Sequence, residues 1–247
     1  MTWKPLRSLL SSLLLVLGLD NAAAQTAAVP LSTMLDKAQS EPWRAVGRVN
    51  IAGTKRRSMC TGTLIEPDLV LTAAHCVTRP KTAIPFAVHT VHFVAGWHKG
   101  TSTGHSKAVA LAVHPEWTGG KARKVDDLAT DLALIRLEDP LDTSSADPFS
   151  VDRPPLPGDP LTLISYRRDR PHALTRQNDC PYKSIIGQVL ELECPVTFGA
   201  SGSPLFFKEA DGQKVVAVLS AMGDGGAPRA FAVRADNVVE MLRGLLP

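Results

Sequence analysis

The chain has 247 residues, 44% of them apolar and 21% charged, which supplies a packed core and excludes disorder over most of its length. Its 19 prolines and 18 glycines argue for many turns and against a helical bundle. The formal net charge of +3 is not gathered into an extended basic run, so binding dominated by nucleic-acid phosphates is disfavoured.

In chain order, the first 24 residues read as a secretory signal peptide. Lys4 and Arg7 give a positive start, Leu9 to Leu19 an apolar stretch, and Ala22-Ala23-Ala24 a cleavage site. The alternative, a membrane anchor, fits poorly because the apolar stretch falls well short of the roughly 20 residues that span a bilayer. A secreted or periplasmic protein without a membrane anchor after cleavage is expected. Residues 25–42 read as a poorly specified N-terminal arm or propeptide, and 43–247 as the folded domain.

From Arg44 to Ile51 apolar and polar residues alternate as in a half-buried strand. Short β-like runs follow at 63–65 and 69–72 around a Glu66-Pro67-Asp68 turn, then at 88–95, 108–113 and 132–137. Residues 117–127 read as an exposed loop. Residues 140–160 carry six prolines and read as an extended connector between two β-rich halves. The second half continues at 161–166, 185–192, 204–207, 215–219 and 231–233. Many short strands broken by Gly, Pro and Asp predict an all-β barrel or sandwich. One helix is expected at the end, capped by Asp236 or Asn237, with Val238, Val239, Met241, Leu242, Leu245 and Leu246 at near-helical spacing.

Export makes the four cysteines, Cys60, Cys76, Cys180 and Cys194, disulfide candidates, with three pairings open. None forms a C-x-x-C and no paired histidines flank them, which argues against a structural metal.

Three local sequences can carry chemistry: Leu71-Thr72-Ala73-Ala74-His75-Cys76, Asp131-Leu132-Ala133-Leu134-Ile135-Arg136-Leu137, and Gly199-Ala200-Ser201-Gly202-Ser203-Pro204. A serine hydroxyl is a poor nucleophile near neutral pH and needs a base such as imidazole. The imidazole in turn needs a buried carboxylate to fix its tautomer. Backbone N–H groups in a Gly-rich turn can hold the oxyanion that forms on attack. His75 follows a predicted strand and Asp131 begins one, so both lie where a scaffold meets a cleft. Taken singly, each is more often an ordinary turn or half-buried residue. Their order, His, Asp, Ser, is one of the three known orders of this triad. The α/β-hydrolase alternative fails because its elbow is G-x-S-x-G, its order is Ser, Asp, His, and strand–helix alternation is missing here.

On these residues the sequence resembles the trypsin/chymotrypsin-like serine peptidases, in the bacterial branch. Thr72-Ala73-Ala74-His75-Cys76 resembles the family's histidine motif, His114-Pro115 ahead of Asp131-Leu132-Ala133-Leu134 the aspartate region, and Gly199-x-Ser201-Gly202-x-Pro204 the serine motif. The resemblance runs over about residues 44–246. It implies two antiparallel six-stranded β-barrels packed side by side, with a C-terminal α-helix and a cleft between the barrels. It implies Ser201 as nucleophile, His75 as general base and then acid, and Asp131 as its orienting partner, with Asp126 and Asp127 as nearby competitors. The N–H groups of Gly199 and Ser201 would form the oxyanion hole. A Cys60–Cys76 disulfide is implied, which leaves Cys180 with Cys194. The segment between these two, with Gly187 near its centre, would be a hairpin that the bridge stabilises by roughly 3 kcal/mol before strain.

The sequence also departs from the family pattern. Where digestive members carry an Asp that pairs with a new N-terminal ammonium, this chain has Ala200, so activity independent of that salt bridge is expected, with something else holding the Gly199 amide inward. Pro195 stands where trypsin has its pocket acid. Ser220 falls where the family binds substrate main chain, Met222 could narrow the pocket, and Asp224 lies in a Gly-rich loop that could reach it. Leu219 stands where Glu-specific relatives place a His. A small or medium apolar side chain on the acyl side of the scissile bond is therefore expected. The functional expectation is a monomeric secreted serine endopeptidase acting on proteins or peptides, with no metal or organic cofactor required. The alternative is a catalytically weak binding module on the same fold.

Overall fold

The computed structural model describes residues 1–2, 32–52, 58–120, 124–142, 144–223 and 228–247. The expected leader lies almost wholly outside these residues, and Asp224 lies outside them too. The strands are β1 (Thr33–Met34), β2 (Val46–Ile51), β3 (Ser58–Glu66), β4 (Leu69–Thr72), β5 (Val91–Ala95), β6 (Gly104–Val113), β7 (Ala133–Leu137), β8 (Pro160–Arg167), β9 (Arg170–Ile186), β10 (Val189–Leu192), β11 (Pro204–Glu209), β12 (Gly212–Met222) and β13 (Ala230–Arg234). The α-helices among the described residues are short: α1 (Lys37–Ser40), α2 (Ala74–Val77) and α3 (Val239–Arg243). None is long and apolar enough to cross a membrane.

Alternation along the strands closes them into barrels. In β6, Ser106, Ala108, Ala110 and Ala112 point inward, small enough to fill a narrow barrel, while their neighbours face out. The first barrel runs β2-β3-β4-β7-β6-β5 and closes on itself. The second runs β8-β9-β10-β13-β12-β11 and returns to β8, with β1 added outside on β9. Two six-stranded antiparallel barrels and a short C-terminal helix are therefore present. Trp43 ahead of the first barrel, Phe149 in the connector and Phe206 on β11 pack ring to ring, at 5.0 Å for Trp43–Phe206 and 4.6 Å for Phe149–Phe206. This aromatic cluster ties the connector to both barrels.

Several local expectations are corrected. Residues 32–42 are not a loose arm. β1 pairs with β9, the amide of Leu35 donates to Leu174, and the Leu35 side chain is buried. Asp36 and Gln39 cap α1 reciprocally, a device that a search for apolar periodicity passes over. Trp117 was expected in an exposed loop but is buried, its indole donating to Thr78 Oγ1 at 3.1 Å. The C-terminal helix is shorter than expected and is capped by neither Asp236 nor Asn237; the Asp236 carboxylate instead takes the Arg234 guanidinium.

The predicted run 185–192 is two strands. β9 and β10 meet at Gly187, whose φ of +58° supplies the tight turn. Both disulfides form, Cys60–Cys76 across β3 and α2, and Cys180–Cys194 across the β9–β10 hairpin.

Candidate active site

The ladder between β4 and β7 brings the first two groups together. Thr72 lies opposite Ala133, so the chain running on into α2 and the chain entering β7 leave the same end of the ladder. His75 is the second residue of α2 and Asp131 sits two residues before β7. Asp131 is 1% exposed, and three donors satisfy its carboxylate. The His75 amide donates to Oδ1 at 2.9 Å, the imidazole Nδ1 faces Oδ2 at 2.7 Å, and the Ser220 hydroxyl donates to Oδ2 at 2.5 Å. A carboxylate only accepts, so the imidazole proton sits on Nδ1 and Nε2 is left as an acceptor. Burial pulls the His75 pKa down, but the charge of Asp131 and its hydrogen bond outweigh this, and the net direction is up. The two competing carboxylates lie elsewhere. Asp126 sits by the Gly187 turn, and Asp127 accepts from the amide of Lys124.

Ser201 comes from the second barrel, in the turn that leads into β11. It lines the same cleft as His75. His75 Nε2 makes no hydrogen bond to the Ser201 hydroxyl among the described residues; its near neighbour is the disulfide sulfur of Cys76 at 3.8 Å. Contacts between nucleophile and base are commonly long until a substrate is bound.

The turn presents two free amides. Ala200 donates to Thr197, Gly202 to Leu219 and Ser203 to Ala200, whereas the amides of Gly199 and Ser201 have no acceptor among the described residues. Their orientation is built in. The Phe198 carbonyl accepts from the Arg168 amide at 2.8 Å, and the N–H of a trans peptide points opposite to its C=O, so the Gly199 N–H faces away from Arg168. The Gly199 carbonyl is held by Thr61 Oγ1 at 3.1 Å, and the Thr61 amide holds the Ser201 carbonyl at 2.8 Å. Gly199 adopts φ +91°, and an added Cβ would meet the Arg168 amide nitrogen and Met59 Cε at 2.8 Å. Thr61 and Arg168 are thus the brace that sequence reasoning missed. Neither belongs to a motif; only pairing across the barrels brings them to the turn.

Ala200 is 1% exposed, in an apolar cluster with Leu161, Leu205, Leu219 and the Cys180–Cys194 bridge. No described member of that cluster carries a positive charge. Ala200→Asp, which restores the digestive family's residue, is expected to destabilise the fold by about 3–5 kcal/mol, as an uncompensated buried charge. A urea titration checks this; an unchanged midpoint would contradict it.

A cavity of about 200 Å³ lies beside Ser201, walled by Val196–Phe198 on one side and Leu219–Met222 on the other. Of the three predicted pocket residues, Ser220 and Met222 line it and Pro195 does not. Cys194 is tied to Cys180, and the Glu193 amide to the Pro181 carbonyl, which hold Pro195 against β9 so that the wall begins at Val196. Ser220 has a second part not foreseen, as the hydroxyl donor to Asp131.

A family model described as a trypsin-like peptidase domain matches residues 60–218. The cercarial protease of Schistosoma mansoni is 29% identical over 191 residues, 71% of this chain and 66% of that protein. Chymotrypsin-like elastase family member 1 of Felis catus is 34% identical over 106 residues, 41% of this chain and 35% of that protein. The modular serine protease of Drosophila melanogaster is 34% identical over 88 residues, 34% of this chain and 14% of that protein. The matches therefore span from 14% to 66% of the length of these relatives. A solved Glu endopeptidase shares the fold, with a TM-score of 0.71 at 19% identity over 89% of this chain and 97% of that one.

Proposed function

The chain belongs to the trypsin-like peptidase family, and from that premise we propose that it is an exported serine endopeptidase working through Ser201, His75 and Asp131. The observation that carries this is the cleft itself, where an imidazole oriented by a buried carboxylate shares walls with a serine whose turn offers two free amides. Ser201 Oγ attacks the scissile carbonyl carbon while His75 Nε2 takes its proton. The Gly199 and Ser201 amides receive the oxyanion. On collapse, the imidazolium gives that proton to the departing amine and leaves an acyl-enzyme. Water then attacks through the same base, releasing the acid and restoring the serine.

The small cavity takes the side chain on the acyl side of the bond. No described residue that lines it is charged, so a small or medium apolar side chain fits best. The structural neighbour is a Glu endopeptidase, but Leu219 offers no cation here. Residues 1–24 and two disulfides, bonds that persist in oxidising compartments, support export. We assign 1–24 as leader and 43–247 as peptidase domain. Ala200 supports activity without a new N-terminal ammonium.

The test is fluorophosphonate labelling of the chain beginning at Gln25, with Ser201→Ala as control, followed by cleavage of a peptide library. Labelling confined to Ser201 and cleavage after apolar residues are expected. No labelling would favour the binding-module reading, and activity only after trimming near Trp43 would overturn the activation claim.

A further inference from the structure

We infer that the cleft on the His75 side of Ser201 is a subsite for an acidic side chain in the leaving-group half of the substrate. This rests on the peptidase reading above. The cleft has a volume of about 1240 Å³ and meets the smaller apolar cavity at Phe198 and Ser201. His75 lines the larger cleft and not the smaller one. The general acid must reach the departing amine, so the residues that follow the scissile bond lie in the larger cleft.

That cleft holds two guanidinium groups, Arg48 from the first barrel and Arg168 from the second, and no described acidic residue lines it. Arg136, Arg167 and Arg234 each hold a carboxylate. Arg48 and Arg168 form no ion pair among the described residues. Among the described residues, the terminal nitrogens of Arg48 reach neutral acceptors only, the Pro171 carbonyl at 3.3 Å and Asn50 Oδ1 at 3.4 Å. Its Nε is buried with no partner among the described residues. Burial also pushes the Arg48 guanidinium below its usual pKa, as expected of a charge lacking its counter-ion.

Aromatic faces hold both groups in place without neutralising them. Arg48 lies 5.5 Å from the centre of the Trp97 ring, and Arg168 lies 5.7 Å from the Phe198 ring. Two cations lining one cleft, neither paired with a carboxylate among the described residues, suit a planar anion that accepts charge-assisted hydrogen bonds. In a peptide that anion is an Asp or Glu side chain. A free C-terminal carboxylate has the same chemistry, and the test separates the two.

The chain beginning at Gln25 is given quenched peptides with a common acyl half, carrying Asp or Lys at each of the first three leaving-group positions. All are made both as C-terminal amides and as free acids. Asp over Lys is expected by roughly tenfold in kcat/KM at low salt, shrinking as salt rises. The Asp:Lys ratio should fall toward one in Arg48→Gln and in Arg168→Gln. Arg168 is exposed, so its variant serves if Arg48→Gln does not fold.

Fluorescence anisotropy of the labelled leaving half on Ser201→Ala asks the same question without catalysis. A chain that fails to label with fluorophosphonate still answers there, so failure of the peptidase reading and failure of the subsite are distinct. The subsite is overturned by equal binding of Asp and Lys peptides, or by a preference that survives both arginine variants. A preference for free acids over amides that is the same for Asp and Lys peptides would assign the arginines to a chain end and overturn the side-chain claim.

Discussion

Ser201→Ala is expected to lower kcat about 10⁶-fold while leaving the fold intact. The hydroxyl makes no hydrogen bond among the described residues, and the brace from Thr61 falls on the Ser201 carbonyl, which alanine keeps. The variant should therefore melt close to the parent. Its residual rate is the part supplied by binding and by the two free amides, roughly 10³–10⁴ over water. Nucleophile and base act as one unit, so His75→Ala in the same chain should cost little more. A double variant whose loss is the product of the two single losses would show that His75 does not serve Ser201. Single-turnover rates on one peptide ester measure all three. The comparison bears directly on the open contact between His75 Nε2 and the serine hydroxyl, because coupling of the two groups requires that it close during turnover.

The three proposed triad residues stand out in the sequence because each sits inside a short string that fixes its own surroundings. Thr72-Ala73-Ala74-His75-Cys76 ends a strand and begins a helix, and the cysteine ties that corner to Cys60. Gly199 and Gly202 mark backbone that other residues cannot adopt: at Gly202, with φ +78°, an added Cβ would fall 2.2 Å from the Thr61 carbonyl. The strands of the first barrel were legible for a similar reason, since the alternation of buried Val49 and Ile51 with half-buried Arg48 and Asn50 is a local signal.

What was lost is what depends on partners distant in sequence. β9 spans 17 residues but reads as polar, because Thr175, Gln177, Cys180 and Tyr182 fill four of its six buried positions and leave only Ala173 and Leu174 as aliphatics there. Two register shifts against β8 break its alternation further. Pro195 was misplaced because counting back from Ser201 takes no account of the disulfide that holds the intervening chain. Thr61 carried no signal, since a threonine after a cysteine is unremarkable until β3 is laid against the serine turn.

Asp131→Asn should lower kcat about 10⁴-fold and also move the pH profile, and the two effects have different causes. Both carboxylate oxygens receive donors, the His75 amide at Oδ1 and the imidazole with the Ser220 hydroxyl at Oδ2. An asparagine must turn its NH₂ toward one of them. Facing the His75 amide, it would set two donors against each other with no escape, because a backbone N–H cannot move its proton. Facing the imidazole, it meets a group that can: the proton shifts from Nδ1 to Nε2, and the Ser220 hydroxyl rotates to accept. This second arrangement is therefore favoured, and it leaves Nε2 protonated and unable to take the proton of Ser201. The pH effect follows from the charge. In the parent, Asp131 holds the imidazole pKa above its ordinary value of 6.5 in spite of burial. The base works only when neutral, so kcat/KM rises with pH through a midpoint above that value. In the variant the raising charge is gone and burial remains, so the midpoint moves to the acid side of the ordinary value while the plateau falls. Kinetics from pH 5 to pH 9 on a single ester resolve both effects. A lowered plateau with an unmoved midpoint would mean that Asp131 positions the imidazole without setting its charge.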